Sequence, residues 1–276
     1  QNFLFVKVEH ILHYNLDAPL KDSPYHLLQH QFLFSLDHSF LLVYFIEYEK
    51  IITMKDKVLI TGGLGYIGME LAKVFSGLTR KYQITVLDSK YYSSRINQLK
   101  IWGISYKQLD ILDSESLQEF IKDFDVVYHL AGITDVPQTK GQASKKLNQE
   151  IKKVGIDGTR NILNYTKKDC KIIFPSTHVV FEGLSTVKKN LDELNKPVPI
   201  LEYSKSKYQS EKDIINSGKK YIILRLGSVY GNSFDSTRLN IMPNLFAKIT
   251  SQNGTISLFG GGKQLKSLVN VVDVAR

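Results

Sequence analysis

Short runs of apolar and β-branched residues recur along the chain at 58–61, 83–87, 104–109, 126–130, 172–174 and 221–226, and the stretches between them carry apolar positions at helical spacing. A strand followed each time by a helix predicts an α/β fold, a doubly wound parallel sheet. Parallel strands need crossover connections, and the crossing helices cover both faces of the sheet. From about Gly231 the alternation weakens and Asn, Ser and Gly become frequent, so a smaller second lobe is expected to begin there.

Composition changes at residue 54. Residues 1–53 contain no glycine, no methionine and five of the seven histidines, with three basic against six acidic side chains. The remainder holds all 18 glycines, with 33 basic and 21 acidic side chains. Met54 begins "MKDKVLITGG" and reads as a natural start, which makes 1–53 an appendage of unknown role. At the other end "VVDVAR" stops in the first turn of a helix, so the second lobe is expected to be incomplete.

The formal net charge of +9 comes from scattered lysine pairs such as Lys145 with Lys146 and Lys219 with Lys220, not from one basic stripe interleaved with aromatics. This argues against a nucleic-acid partner and leaves a general field that favours a small anionic substrate. The single cysteine, Cys170, cannot form an internal disulfide and reads as a small buried hydrophobe. The N-terminal apolar run 40–46 falls far short of the roughly 20 residues that span a bilayer, and the first ten residues lack a cleavage signature, so the default expectation is cytoplasmic.

The first strand runs into "TGGLGYIG". Gly62, Gly65 and Gly68 there permit a tight turn, a close approach of backbone to a pyrophosphate, and close packing of helix on strand. The helix start supplies free N–H groups and partial positive charge for phosphates. Asp88 ends the next strand, twenty residues beyond Gly68, where a carboxylate accepts from ribose hydroxyls and repels a 2′-phosphate. NAD is therefore expected rather than NADP. Asp110, after the third strand, has two readings of equal weight, an adenine contact or a turn residue that caps a helix.

In "EYSKSKYQSEKD", Tyr203 and Lys207 stand at i and i+4 on one helix face, a spacing that lets a lysine bond a nicotinamide ribose and lower the phenol's pKa. Tyr208 and Lys212 repeat the spacing about 140° around the helix. The two pairs cannot both face a cofactor, and spacing alone does not choose between them.

The ordered set "TGGLGYIG", "VVYHLAG", "STHVVFEG", "YSKSK", "RLGSVYG" and "LFGGGKQLKSLVNVVDVA" resembles the extended short-chain dehydrogenase/reductases, specifically their NAD-dependent epimerase/dehydratase group, from about Val58 to Ala275. The resemblance implies a catalytic set of Thr177, Tyr203 and Lys207, because Ser206 before Lys207 fits the family's Tyr-x-x-Ser/Thr-Lys pattern while Glu211 before Lys212 does not. Ser176 is the runner-up to Thr177. For the cofactor it implies contacts from Gly62, Gly65, Tyr66, Ile67, Gly68, Asp88, Asp110, Ile111, Leu130, Ala131 and Gly132, besides Tyr203 and Lys207. For the substrate it implies Thr177, Ser228, Asn240 and Lys266.

Five positions depart from the family pattern. His178 and Val179 replace the Asp-Glu pair of dehydratases, and valine moves no proton, so 4,6-dehydration is not expected. Ser228 stands for a usual Asn, Lys266 for a diphosphate-binding Arg with loss of its bidentate fork, and Gly155 for an Asn that orders the site. Composition, pattern and resemblance together give three regions: 1–53, an NAD-binding domain over 54–230, and the start of a substrate lobe over 231–276. The resemblance also implies nucleotide-sugar 4-epimerisation in a possible homodimer. The rivals are an NAD-linked nucleotide-sugar dehydrogenase or reductase and a catalytically silent NAD-binding protein.

Overall fold

The computed structural model describes residues 55–134, 144–186, 188, 191–262 and 266–276; the N-terminal appendage expected over 1–53 lies outside the described residues. Six strands form the main sheet: β1 (Asp56–Thr61), β2 (Tyr82–Asp88), β3 (Ser105–Gln108), β4 (Val126–His129), β5 (Lys171–Thr177) and β6 (Lys220–Leu226). Their order is β3-β2-β1-β4-β5-β6, and every neighbouring pair is parallel. The helices between them are α1 (Tyr66–Ser76), α2 (Ser93–Ile101), α3 (Ser114–Ile121), α4 (Lys145–Lys152), α5 (Gly158–Tyr165) and α6 (Glu202–Asn216). A π turn, Lys153–Asp157, joins α4 to α5.

The two-residue period of the strands builds the two cores. Leu59, Leu87, Val127, Ile172 and Phe174 point to one face with Leu117, Ile162 and Ile214 from the helices. Val58, Ile60, Ile84 and Val86 point to the other with Met69, Ala72, Phe75 and Leu99. Strands buried on both faces explain why the sequence shows apolar runs rather than polar alternation.

The fifth strand extends past the apolar run 172–174 to Thr177. Pro175 is tolerated there because β4 pairs with β5 only up to Ile173, so the proline lies beyond that ladder and pairs with β6 alone. The extension carries Ser176 and Thr177 to the sheet's carboxyl edge. Past β6 the pieces are short: β7 (Ser228–Tyr230) pairs with β10 (Leu268–Asn270), and β8 (Asn232–Ser233) with β9 (Ser236–Thr237). Helix α7 (Met242–Ser251) follows the hairpin, and α8 (Val271–Ala275) starts on a side-chain cap, with Asn270 Oδ1 accepting from the Val272 N–H at 2.9 Å.

Candidate active site

In the order β3-β2-β1-β4-β5-β6, the chain reverses its direction of winding between β1 and β4, and the loops leaving those strands open a crevice at the carboxyl edge. The two loops touch. Gly62 has φ +64°, and a Cβ there would stand 2.7 Å from the Ala131 backbone. Gly68 packs closely on the turn that leaves β1, since its Cβ would meet Gly63 Cα at 2.5 Å. Tyr66 and Ile67 form the first turn of α1, and the Tyr66 hydroxyl donates to the Gly231 carbonyl at 2.8 Å.

Asp88 is fixed beside this turn. Its Oδ2 accepts from the Leu64 N–H at 3.1 Å and its Oδ1 from the Lys90 N–H at 3.0 Å. Burial nevertheless raises its pKa above the ordinary carboxylate value, with those two bonds opposing. Each oxygen retains an acceptor site for a ribose hydroxyl. Asp110 is exposed and turns its Oδ1 to the Leu112 N–H at 2.9 Å, next to buried Ile111. The cap of α3 is Asp113 instead, accepting from Ser116 N–H.

Tyr203 and Lys207 line one cleft with Ala131, Gly132, Ile151 and Phe174. The Lys207 ammonium donates to the Pro175 carbonyl at 2.9 Å and lies 4.3 Å from the centre of the Phe174 ring. Burial pushes its pKa down to about 8, with Glu211 pulling the other way. Burial raises the Tyr203 pKa, and the opposing influences are the Arg238 charge and a hydrogen bond with Thr177. Arg238, which no sequence pattern singles out, is thus a cation that favours the phenolate. Neither Tyr208 nor Lys212 lines this cleft; the Lys212 ammonium sits 5.0 Å over the Tyr208 ring.

Thr177 is buried at the end of β5, where its Oγ1 also accepts from the Val179 N–H at 3.3 Å. Ser176 is committed elsewhere and donates to the buried carboxylate of Glu211. Arg225 holds that carboxylate in a fork, Nη2 at 2.7 Å and Nε at 3.1 Å, so the ion pair locks α6 to β5 and β6 just behind the reactive face. Glu182 Oε1 accepts from the Ile200 and Leu201 N–H groups at 2.8 and 2.7 Å and so supplies the cap that α6 lacks in its own sequence. These three residues carry no periodic signal, and only their partners reveal them.

Under the cleft, His129 Nδ1 meets Thr61 Oγ1 at 2.8 Å and Nε2 meets Thr159 Oγ1 at 3.0 Å, while Thr61 Oγ1 accepts from the Ala131 N–H at 3.2 Å. Gly155 lies in the π turn, and its carbonyl accepts from Thr159 Oγ1 and, at 2.8 Å, from Ser210 Oγ. A Cβ at 155 would fall 2.0 Å from Ser206 Oγ. Gly132 stands in the open, with nothing within 4 Å of a Cβ added there.

The other candidate positions are more dispersed. Leu130 N–H bonds Thr61 O at 3.1 Å and continues the β4 edge. Ser228 lies in β7, its N–H on the Ser267 carbonyl at 2.8 Å. Asn240 Oδ1 accepts from Arg238 Nε at 2.9 Å, and Lys266 is exposed near His178, whose Nδ1 contacts the Leu226 carbonyl at 3.0 Å.

The NAD dependent epimerase/dehydratase family matches residues 58–276. The chain belongs to that family. Its fit to NAD also rests on geometry: the bare turn at Gly62–Gly65, the fixed carboxylate of Asp88 and the space in front of Gly132 suit a dinucleotide. Relatives include a UDP-N-acetyl-alpha-D-glucosaminuronate decarboxylase of Bacillus cytotoxicus, 29% identical over 80% of this chain and 69% of that protein. A UDP-glucose 4-epimerase of Mycoplasma pneumoniae is 29% identical over 80% and 69%. Among solved structures, a UDP-glucose 4-epimerase of Thermotoga maritima with UDP-glucose superposes with TM-score 0.66 at 25% identity, covering 79% of this chain and 71% of that one. Among the described residues no helix is long and apolar enough to cross a membrane.

Proposed function

We propose that this family member is a nucleotide-sugar 4-epimerase, with Gly62, Gly65, Tyr66, Ile67, Gly68, Asp88 and 130–132 on the dinucleotide and the segment from Gly231 onward opening the substrate lobe. The observation that carries the reading is the convergence of Tyr203 and Lys207 on one cleft, with Thr177 close enough to act on the Tyr203 phenol and Val179 where elimination would need a carboxylate. NAD, when bound, supplies the acceptor and later the donor of hydride. Tyr203 takes the proton of the sugar hydroxyl and returns it, and Thr177 holds the same oxygen. Arg238 favours the phenolate that burial alone disfavours. Lys207, held by the Pro175 carbonyl, would bond the nicotinamide ribose of a bound NAD. Asn240 and Lys266 meet the diphosphate, where their exposed side chains suit a solvated anion.

The relatives differ in reaction, one a decarboxylase and two 4-epimerases by name, so product identity is the test. The chain is incubated with UDP-, GDP-, dTDP- and CDP-sugars while product mass and nicotinamide absorbance are followed together. An isomer of unchanged mass without accumulating NADH is expected. Loss of water or carbon dioxide, or stoichiometric NADH, would replace the assignment.

A further inference from the structure

Residues 231–238 make contacts behind three different strands of the main sheet. Behind β1, the Tyr66 hydroxyl donates to the Gly231 carbonyl at 2.8 Å. Behind β2, the Asp235 carboxylate accepts from Arg95 Nε at 2.6 Å and from Ser94 Oγ at 3.1 Å, while Phe234 stands edge-on to Trp102 with ring centres 5.8 Å apart. Behind β4, the Arg238 guanidinium donates to the Thr134 carbonyl, two residues beyond Gly132. Arg95 in turn donates to the Leu64 carbonyl inside the glycine turn, beside the N–H that Asp88 holds.

The loops after β1, β2 and β4 are those that carry a dinucleotide in a doubly wound sheet. A two-residue hairpin such as β8–β9 has little stability of its own, so its position is set by these outer contacts. We propose that residues 231–238 are a strap across the dinucleotide site and that the Arg95–Asp235 ion pair is its latch, so that the cofactor leaves only after the pair opens. The proposal rests on the assignment of the NAD site above. The pair is suited to this role by its setting, with side-chain exposures of 15% for Arg95 and 33% for Asp235, because partial burial protects an ion pair from the screening that makes surface pairs weak. Its location fits as well. The latch closes over the adenosine half, beside Asp88, and the Arg238 contact closes over the half that enters the Tyr203 cleft. A cofactor restored within each turnover has no need to exchange, and a strapped site is compatible with that.

The test measures release, with no sugar present. The full chain is loaded with NAD and diluted into excess alcohol dehydrogenase and ethanol, which convert each released NAD to NADH and report it by absorbance. Asp235→Asn, which removes the charge at constant size, is expected to release NAD about tenfold faster, the equivalent of one charge-assisted bond. Asp235→Glu keeps the charge and should fall between the two. Added salt should speed the wild type more than Asp235→Asn. Arg238→Gln, at the far end of the strap, should also speed release, which gives a second reading if the first variant folds poorly. Wild-type release rates in Asp235→Asn and Arg238→Gln overturn the strap, and equal acceleration by Asn and Glu overturns the ionic latch. A chain that turns over sugars as a dehydrogenase leaves the release result readable, whereas a chain that takes up no NAD overturns the site assignment and the strap with it.

Discussion

Acid should destabilise this protein strongly through His129. Its imidazole is 1% exposed, stacked on Phe174 and bonded at both nitrogens to threonine hydroxyls, and burial together with the Lys207 charge lowers its pKa from 6.5 to about 3. Below pH 6.5 the unfolded chain binds a proton there that the folded chain refuses, so stability falls as pH drops and goes on falling until the folded pKa is reached. At 1.36 kcal/mol per unit, lowering the pH from about 6.5 to about 4 removes roughly 3 kcal/mol through this group alone, a large share of a typical 5–15 kcal/mol. Urea unfolding at a series of pH values, for wild type and His129→Gln, isolates it. The variant loses the two threonine bonds and starts less stable, but it lacks the titration, and carboxylate contributions common to both proteins cancel. The two stability curves should converge toward low pH. Curves that stay parallel to within about 1 kcal/mol would refute a neutral buried histidine, as would an imidazole NMR titration near its unperturbed value.

Tyr203→Phe should abolish turnover with NAD affinity nearly unchanged by calorimetry, and Tyr208→Phe should change neither, because only the first ring lines the cleft. Asp88→Asn removes the charge that repels a 2′-phosphate, so the preference for NAD over NADP should narrow by about tenfold in competitive binding. Gly155→Ala should lower stability by about 1–3 kcal/mol through overpacking against Ser206, and adding Ser206→Ala should recover most of it in thermal unfolding. A chain that begins at Met54 should still bind NAD, because every motif lies downstream; loss of binding would give 1–53 a part in the fold.

The alternation of apolar runs and helical stretches made the sheet legible, since strands buried on both faces have to be apolar throughout. It was less informative at the edges. The run 172–174 understated β5 because Pro175 and the polar Ser176 interrupt the apolar pattern before Thr177; they extend the strand because β6 is there to pair with them, register by register, to Leu226. Among site residues, those fixed by local chain geometry were readable: the glycines of the first turn, Asp88 at a strand end, and two i, i+4 Tyr–Lys pairs on α6, between which spacing did not choose. Arg238, Arg225, Glu211 and Glu182 were not. Each acts on a partner 14 or more residues away, and no local period marks such a residue.

Gly155 shows how a departure from pattern acquires a physical reason. As a sequence feature it was only a missing asparagine beside a site that the family resemblance implied. In the fold it occupies the π turn where the helix from Ser144 onward meets α6, and its lack of a side chain lets that turn come within reach of Ser206 and Ser210. Ser206 and Ser210 are buried on the α6 face that meets this turn, and Tyr203 and Lys207, carried by the same helix, line the cleft in front. A Cβ at 155 would have to displace the Ser206 hydroxyl, on the helix that also carries Tyr203 and Lys207. The Gly155 carbonyl takes two hydroxyls, one of them on Thr159, which also holds His129. Close approach of the π turn to α6 thereby ties the helix of Tyr203 and Lys207 to the same buried network that acid is expected to weaken.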